Sequence, residues 1–381
     1  MPATEDLSAV LFQPVQLGKL SLKNRFVMSP MTREASPGRI PGPDVADYYA
    51  RRADSTGLIV TEGVALPDPT SVDHPSVPAM YGDGLEGWRA VVAKVHAHGG
   101  VIFPQLWHQG ALRNPSRAAE PALIGLRPSG FWGTPGVTSY EEAYVTAMRV
   151  PTRPMTDSEI ADAIASFAVA ARNAVEVGFD GIAIHGAHGY LIDTFFWSDT
   201  NQRSDRYGGG AMARAQFGAE VVASIRAEIG PEVPIMFRFS QHKQQDYKAR
   251  FADTPEELGV ILGALADAGV DLFDASSRRF NHPAFEDSDL SLAGWARKLT
   301  GKPAMAVGGI GLNNWLQDTF KHRGETLAVN NLDEVARRIA AGEFDLAGVG
   351  RALLNDPDWA KRARRGESFL PFDAGNLAKL V

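Results

Sequence analysis

Short apolar segments recur along the chain and alternate with longer segments whose apolar residues recur at helical spacing. Eight of the short segments have the length and composition of buried strands. They are Phe26–Met28, Leu58–Val60, Val101–Phe103, Ile182–Ile184, Ile235–Phe237, Leu272–Phe273, Ala304–Val307 and Leu346–Val349. Apolar strands that alternate with helices are typical of a parallel sheet covered on both faces. Eight such units favour an α/β fold of the closed (β/α)8 type, a TIM barrel, over an open sheet.

Segments of helical periodicity lie between most of these strands. Five of them are Trp88–His98, Asp157–Val177, Phe217–Ile229, Pro255–Ala268 and Leu332–Ala341. Thr156 and Glu159 stand at the two positions of a capping box, which predicts a helix start at Asp157. Asn331 is a candidate cap for the last helix. Glycines follow Val177, Ala268 and Ala341, where a left-handed residue commonly ends a helix.

Two connections are too long for simple barrel loops. Residues 109–154 follow the third strand and are rich in proline, glycine and serine, with several aromatic residues. Because a connection of that length is normally functional or disordered, we expect an ordered loop or hairpin region near the active site. A second insertion, residues 311–329, follows the seventh strand, and the sequence predicts no role for it.

Composition narrows the class of protein. The 381 residues carry a formal net charge of −7, so the chain lacks the basic surface typical of nucleic-acid binding. The absence of cysteine excludes disulfides, iron–sulfur clusters and thiolate zinc sites. The N-terminal residues 1–12 lack the basic region and apolar core of a signal peptide, so we expect none, and no apolar run approaches membrane-spanning length. We therefore expect one cytoplasmic domain over residues 1–381, a monomer or homodimer, with no nucleic-acid or membrane partner.

Three side chains suited to proton transfer follow the fourth strand. His185, His188 and Tyr190 are separated by Gly186 and Gly189, which allow a tight turn. The active site of such a barrel lies at the carboxyl ends of the strands, where this loop is expected. Imidazole and phenol groups hydrogen-bond a substrate oxygen or deliver a proton, and histidines also bind metals. Further candidate metal ligands are Glu62, His108 and Asp274.

Glycines also follow the last two strands. Gly308 and Gly309 follow the seventh strand, and Gly350 and Arg351 follow the eighth. Backbone N–H groups can approach an anion closely at glycines, and Arg351 could add a charge-assisted hydrogen bond. Because barrels commonly bind phosphate after these two strands, the pattern predicts a phosphate site.

A series of short motifs occurs in order along the chain. They are LGKL (17–20), LKNR (22–25), SPMTR (29–33), TEG (61–63), QLWHQG (105–110), the stretch 185–209, GR (350–351) and NDPD (355–358). In these motifs and their spacing the chain resembles the Old Yellow Enzyme family of FMN-dependent ene-reductases over nearly its whole length. The loop 240–247 departs from the commonest family form, and its polar residues either reach the ligand or are solvated. The tail residues 369–372 lie where relatives place an aromatic over the pocket.

The resemblance implies FMN as the cofactor and NADH or NADPH as the reductant. It assigns flavin-ring contacts to Pro30, Met31, Thr32, Ala65, Gln105 and Arg238, and phosphate contacts to Gly308, Gly309, Gly350 and Arg351. An amide side chain suits the N3–H and carbonyl edge of the ring. An arginine near N1 and O2 would offset the negative charge of the reduced ring.

The resemblance also implies the reaction. His185 and His188 would bind the carbonyl oxygen of an α,β-unsaturated compound, or the oxygen of a nitro compound, while flavin N5 delivers hydride to the β-carbon. Tyr190 would protonate the α-carbon, and Trp107 would form a wall of the substrate pocket. Two other hypotheses are compatible with the sequence. One is a metal-dependent barrel lyase or hydrolase that uses His185 and His188 as ligands, and the other is a flavin binder without catalysis.

Overall fold

In the computed structural model, which describes residues 9–18, 20–315 and 324–381, eight parallel strands close into a barrel. Two further strands form a separate antiparallel hairpin before the barrel, β1 (Val15–Leu17) and β2 (Leu20–Leu22). The barrel strands are β3 (Phe26–Met28), β4 (Leu58–Ala65), β5 (Ile102–Trp107), β6 (Ile182–His185), β7 (Ile235–Phe239), β8 (Leu272–Ser276), β9 (Ala304–Val307) and β10 (Leu346–Val349). The barrel runs from β3 to β10 in sequence order and closes by pairing of β10 with β3. The predicted (β/α)8 fold is confirmed. Residue Lys19 of the first motif and residues 316–323 of the second insertion lie outside the described residues.

Helices cover the outside of the barrel. They are α1 (Ala9–Phe12), α2 (Pro43–Ala53), α3 (Gly84–Ala97), α4 (Glu142–Met148), α5 (Asp157–Val177), α6 (Leu191–Phe196), α7 (Ala211–Ile229), α8 (Pro255–Ala268), α9 (Leu292–Thr300), α10 (Leu332–Ala340), α11 (Arg351–Asn355) and α12 (Trp359–Arg365). The capping box of Thr156 and Glu159 is present at the start of α5. Among the described residues, no helix has the length and apolar character of a membrane span.

The hydrophobic core has two layers. One large cluster lies between the barrel and its helices, and a smaller cluster fills the barrel interior. The interior cluster contains the first residues of several strands, such as Leu58, Leu272 and Leu346, together with Leu20 and Leu22 of the β1–β2 hairpin. The hairpin therefore closes the amino end of the barrel with apolar side chains, and the carboxyl end is left for the site.

Strand β4 is longer than the sequence predicts. The apolar run Leu58–Val60 continues as a buried strand to Ala65, with a register shift between Val60 and Gly63. A Cβ on Gly63 would lie 2.5 Å from the Trp107 ring, so the shift lets the β4 backbone pass close to that tryptophan. The residues expected in a loop after this strand are thus held in the barrel wall.

The long connection after the third strand contains no hairpin. Residues 109–154 instead include two short 3-10 turns and the helix α4, and prolines at six positions remove donors that a strand ladder would need. The segment pairs with the loop 240–247: Tyr247 N–H donates to Val137 O at 2.7 Å, and the Thr138 hydroxyl donates to Gln244 O at 2.6 Å. The inserted segment 109–154 and the loop 240–247 are therefore joined by hydrogen bonds.

Two smaller expectations also differ from the structure. Asn331 precedes α10, but its side chain does not cap that helix. Its amide instead donates to Gly309 O at 2.8 Å and accepts from Gly311 N–H at 3.1 Å, which fixes the turn after β9. In the C-terminal tail, the ring of Phe369 stacks on Trp359 at 4.9 Å, and it does not line the cavity described below.

Candidate active site

A cavity of about 280 Å³ opens at the carboxyl ends of the barrel strands. Eight of the predicted site residues line it: Pro30, Met31, His188, Arg238, Gly308, Gly309, Gly350 and Arg351. Ala65, Trp107 and His185 are buried beside it, and Tyr190 packs against Ala65 and Trp107. Thr32 is exposed and does not line the cavity. The strand-end rule therefore brings almost all of the predicted residues to one place.

The rings of His185, His188 and Tyr190 form a compact cluster. The His185 ring lies 5.1 Å from the His188 ring and 4.8 Å from the Tyr190 ring, each pair edge to face. Trp107 packs edge to face on Tyr190 at 5.1 Å and stacks beside His185 at 6.4 Å. His188 adopts a left-handed backbone conformation, with φ of 65°, that turns the loop back toward the barrel.

Hydrogen bonds orient both imidazoles and set the tautomer of His185. Ala187 N–H donates to His185 Nδ1 at 3.3 Å, so the proton of the neutral ring resides on Nε2. His188 Nε2 lies 2.8 Å from the hydroxyl of Ser276, at the end of β8. Burial first, and nearby positive charges second, hold the pKa of both histidines well below 6.5. Both rings are therefore neutral at neutral pH.

Tyr190 is held in its protonated form. Burial, followed by the negative charge of Asp73, raises the pKa of its phenol above the ordinary value of 10. Gln244 Nε2 donates to the phenol oxygen at 2.8 Å. The phenol therefore keeps its proton through the neutral range, as a general acid must.

Two buried polar groups near the cavity fit a flavin ring. Gln105 is buried in β5, and its Nε2 has no hydrogen-bond partner among the described residues. Arg238 lines the cavity, and its Nε donates to the buried carboxylate of Asp274 at 2.6 Å. The ion pair fixes the direction of the guanidinium. An amide in need of a partner and an oriented cation match the polar edge of a flavin.

The glycine turns after β9 and β10 fit the phosphate end of such a cofactor. Gly308 and Gly309 both have positive φ, 132° and 73°, which a residue with a side chain rarely adopts. A Cβ on Gly308 would also lie 2.3 Å from Ser277 O. With Gly350 and Arg351 they line one part of the cavity. The backbone is thus open to an anion in the region that the sequence indicated.

A buried carboxyl group holds the loop after β3 in place. One oxygen of Glu62 accepts from the backbone N–H groups of Arg33 and Glu34 at 2.9 and 3.0 Å. The Arg33 side chain in turn donates to the carbonyls of Leu377 and Lys379 in the C-terminal tail. Glu62 therefore anchors the segment that carries Pro30 and Met31 to the cavity.

Several cavity residues were not among those that the sequence assigned to the site. They include Ser29, His242, Gln244, Tyr247, Ser276 and Arg278. Ser276 ends β8, which runs three residues beyond the predicted strand Leu272–Phe273. The others belong to loops whose path no periodicity predicts. His242 stacks on His188 at 5.0 Å, and the guanidinium of Arg278 lies 3.7 Å from the Tyr247 ring centre.

The candidate metal ligands do not converge. In the part of the chain that the structure describes, no three His, Cys, Asp or Glu side chains are placed to hold a metal ion. Glu62 binds backbone N–H groups, and Asp274 binds Arg238. The Nε2 atom of His108 lies 3.1 Å from Oδ2 of Asp68. The metal-dependent alternative therefore lacks a ligand set.

Comparisons with known proteins agree with this geometry. Residues 10–368 match the model of the NADH:flavin oxidoreductase / NADH oxidase family. The chain is 36% identical over 266 residues to 12-oxophytodienoate reductase 2 of Arabidopsis thaliana, covering 67% of each protein. Its fold matches an Old Yellow Enzyme homologue from Zymomonas mobilis with a TM-score of 0.78 at 25% identity, covering 97% of this chain and 96% of the other.

A second solved structure bears on the reductant. Morphinone reductase in complex with tetrahydroNAD matches with a TM-score of 0.78 at 26% identity, covering 96% of this chain and 93% of the other. The family and these relatives together support FMN-dependent ene-reductase chemistry in general, driven by a nicotinamide. The chain belongs to the Old Yellow Enzyme family of NADH:flavin oxidoreductases, and it is an oxidoreductase with FMN as cofactor and a nicotinamide dinucleotide as reductant.

Proposed function

We propose that this enzyme reduces the electron-poor C=C bond of α,β-unsaturated carbonyl compounds and of related nitro compounds, with Tyr190 as the proton donor. The observation that carries the proposal is the cluster of two neutral imidazoles and one protonated phenol, with ring distances of 4.8 and 5.1 Å, beside the cavity. A relative whose name includes 12-oxophytodienoate, an oxo compound with double bonds, agrees with this substrate class.

The cofactor would be held by residues from six strand ends. Pro30, Met31, Ala65, Gln105 and Arg238 would contact the ring, and Gly308, Gly309, Gly350 and Arg351 would hold the phosphate. Bound FMN supplies the two-electron chemistry, since it takes electrons from NADH or NADPH and passes them to the double bond. Three ring contacts implied by the resemblance, Thr32, Ala65 and Gln105, do not line the cavity; Ala65 and Gln105 are buried, whereas Thr32 is exposed.

His185 and His188 would bind the substrate oxygen. The N–H of His185 Nε2 is available because Nδ1 already accepts from Ala187. A neutral N–H donor polarises the carbonyl group and draws electron density from the β-carbon. His188 could join it by exchanging its contact with Ser276 for one with the substrate. Trp107, packed against both His185 and Tyr190, would wall the substrate side.

Tyr190 would protonate the α-carbon. Its O–H bond breaks as the new C–H bond forms, and the charge left on the phenol oxygen is neutralised by a proton from water. Its raised pKa makes the phenol a weak acid at rest, so proton transfer would occur only when the α-carbon has become strongly basic.

The proposal is tested on the purified protein under anaerobic conditions. We expect a yellow protein whose absorbance near the flavin band is bleached by NADH or NADPH and recovered by a cyclic enone, with the saturated ketone as product. A yellow protein that the nicotinamides bleach but no enone or nitroalkene restores would contradict the proposed substrate class. Flavin absorbance that neither nicotinamide bleaches would favour a binder without catalysis.

A further inference from the structure

Gln244 bridges two tyrosines that are far apart along the chain. Its Nε2 donates to the hydroxyl of Tyr190 at 2.8 Å, across 54 residues. Its Oε1 accepts from the hydroxyl of Tyr140 at 3.0 Å, across 104 residues. Because Tyr140 supplies a donor to the amide oxygen, the amide nitrogen is directed to Tyr190. In this chain of hydrogen bonds, Tyr140 donates to Gln244 and Gln244 donates to Tyr190, so the Tyr190 oxygen is an acceptor.

Two hydrogen bonds hold the backbone of Gln244, one to its carbonyl oxygen and one from its N–H. Its carbonyl oxygen accepts from the Thr138 hydroxyl at 2.6 Å, and its N–H donates to His188 O at 3.0 Å. The first bond ties the loop to the long excursion 109–154, and the second ties it to the His185–Tyr190 loop. The amide is thus placed by both of the segments that bring the tyrosines together.

A phenol whose oxygen accepts a hydrogen bond keeps its own proton for another partner. With Gln244 as donor to Tyr190, the O–H of Tyr190 is free to point toward a substrate in the cavity that Gln244 itself lines. Once the proton has left, the same N–H faces an anionic oxygen, and a hydrogen bond to a charged group is stronger than one to a neutral group. The amide of Gln244 therefore stabilises the phenolate form of Tyr190 that proton transfer produces.

We propose that Gln244 is a positioning residue for the proton transfer, which orients the Tyr190 hydroxyl toward the substrate and stabilises the phenolate left behind. The inference rests on the proposed role of Tyr190 and adds a residue from the loop 240–247, where the chain departs from the usual family pattern. Gln244 does not give up a proton in this step. The proton moves from the Tyr190 hydroxyl to the α-carbon, and a proton from water restores the phenol.

Groups other than Gln244 also shift the pKa of Tyr190. Asp73 and Tyr144 raise the pKa of Tyr190, whereas Arg117 lowers it, as does the hydrogen bond from Gln244. Burial remains the largest influence and raises it. Two substitutions at position 244 separate the effect of the amide on proton transfer from a general change in the charge or burial of Tyr190.

The first substitution removes the donor. In Gln244→Leu, reoxidation of the prereduced enzyme by an enone should slow by roughly 10–100-fold, the loss of one hydrogen bond to a charged group. Its solvent deuterium isotope effect should rise, since proton transfer limits the rate more strongly. Gln241→Leu is the matched control, because Gln241 lies in the same loop but bonds only to the backbone of residues 251 and 252. Equal slowing and equal isotope effects in both variants would assign the effect to loop disorder and overturn the inference.

The second substitution reverses the bond. In Gln244→Glu, an ionised carboxylate accepts a hydrogen bond from the Tyr190 hydroxyl and turns its O–H away from the substrate, whereas a protonated carboxyl group donates as the amide does. The rate of reoxidation by the enone should therefore rise as the pH falls through the pKa of the new carboxyl group. The wild-type enzyme should lack this rise. A variant with the wild-type pH profile would contradict a role through Tyr190.

A double-mutant cycle separates this inference from the proposed function. In a Tyr190→Phe background, Gln244→Leu should cause no further slowing of enone reduction, because the hydroxyl on which it acts is gone. If Gln244→Leu slows both backgrounds equally, the inference fails while Tyr190 keeps its role. If Tyr190→Phe alone leaves enone reduction intact, the proposed proton donor fails, and the inference fails with it.

Discussion

Lys243 Nζ donates to Asp193 Oδ1 at 2.6 Å, and both side chains are fully buried. The second oxygen of Asp193 accepts from Gly189 N–H at 2.6 Å, within the loop that carries the two histidines and Tyr190. Burial raises the pKa of Asp193 and lowers that of Lys243, and their mutual attraction opposes both shifts. The pair thus fastens the loop 240–247, with Gln244, to the loop that carries Tyr190.

Removal of one partner of this pair should destabilise the protein strongly. We expect Asp193→Asn to lower the free energy of unfolding by about 3–5 kcal/mol, because it leaves the Lys243 ammonium buried without a counter-charge. The double variant Asp193→Leu/Lys243→Met should lose less than the sum of the single variants. Urea unfolding at a fixed FMN concentration measures both. Glu86→Gln is the control, since its exposed pair with Arg89 should contribute less than about 1 kcal/mol; a similar loss at both sites would refute the prediction.

The proposed acid predicts a split between the two half-reactions. Tyr190→Phe should slow reoxidation by an enone by roughly 10²–10⁴-fold, the usual contribution of a general acid, because no proton reaches the α-carbon. Reduction of the flavin by NADH or NADPH needs no such proton and should change far less. Anaerobic stopped-flow absorbance follows both steps. Tyr207→Phe, which loses a hydroxyl bonded to Glu220 instead, is the matched control. Equal losses in both half-reactions would argue against the role of Tyr190.

The neutral histidines predict that ligand binding does not depend on pH through their titration. Because burial keeps the pKa of His185 and His188 well below 6.5, both rings stay neutral between pH 6 and 8. The dissociation constant of a neutral ketone for the oxidised enzyme should therefore stay constant over that range in a flavin absorbance titration. Weaker binding as the pH rises through 6.5 would instead indicate an imidazolium donor.

The His185 hydrogen bond can be tested directly with the same titration. His185→Leu should weaken the binding of a ketone or a phenol by roughly fivefold, since one neutral hydrogen bond contributes about 1 kcal/mol. His74→Leu is a control, because His74 is half-buried on another loop and does not line the cavity. Unchanged affinity in His185→Leu would remove this residue from the set that contacts the substrate oxygen.

Glu62 should make stability depend on pH. Burial raises its pKa from 4.5 to about 7, and the N–H groups of Arg33 and Glu34 oppose this shift. The folded state therefore binds the proton more tightly than the unfolded chain. The resulting stability is complete below about pH 4.5 and is lost as the pH rises through 7, by about 3 kcal/mol in total.

Urea unfolding of the wild type and of Glu62→Gln between pH 4.5 and 8 isolates this contribution. The difference in unfolding free energy between the two proteins should change with pH by about 3 kcal/mol, because glutamine does not titrate. A difference that stays constant over this range would show that Glu62 has an ordinary pKa in the folded protein.

The close approach of Gly63 and Trp107 predicts a local defect. Gly63→Ala places a methyl group 2.5 Å from the Trp107 ring, and we expect a loss of about 1–3 kcal/mol from overpacking. Gly263→Ala, in α8 with open space around the new Cβ, should instead stabilise by about 0.5–1 kcal/mol. Thermal unfolding compares the two. If both substitutions stabilise the protein, then Trp107 is not held against β4.

The sequence by itself determined the barrel and the part of the site that is local in the chain. Eight apolar segments specify the strands, because each must be buried on both faces, and the helix between Asp157 and Val177 has the predicted bounds. His185, His188 and Tyr190 lie within six residues of one another at a strand end. Their proximity therefore follows from chain connectivity and from the rule that parallel strands present their carboxyl ends on one side.

Only the tertiary structure decided which groups act on these residues. Tyr140, Tyr190 and Gln244 come from three loops, and no periodic pattern encodes how loops fold across the end of a barrel. The same is true of Asn331, whose amide contacts Gly309 and Gly311 and does not cap its helix. A polar side chain in a loop has many partners within reach, and the packing of distant segments selects one. The ring cluster of His185, His188 and Tyr190 was thus predictable from the chain, whereas the hydrogen-bond partners of these rings depend on contacts that form only in the folded protein.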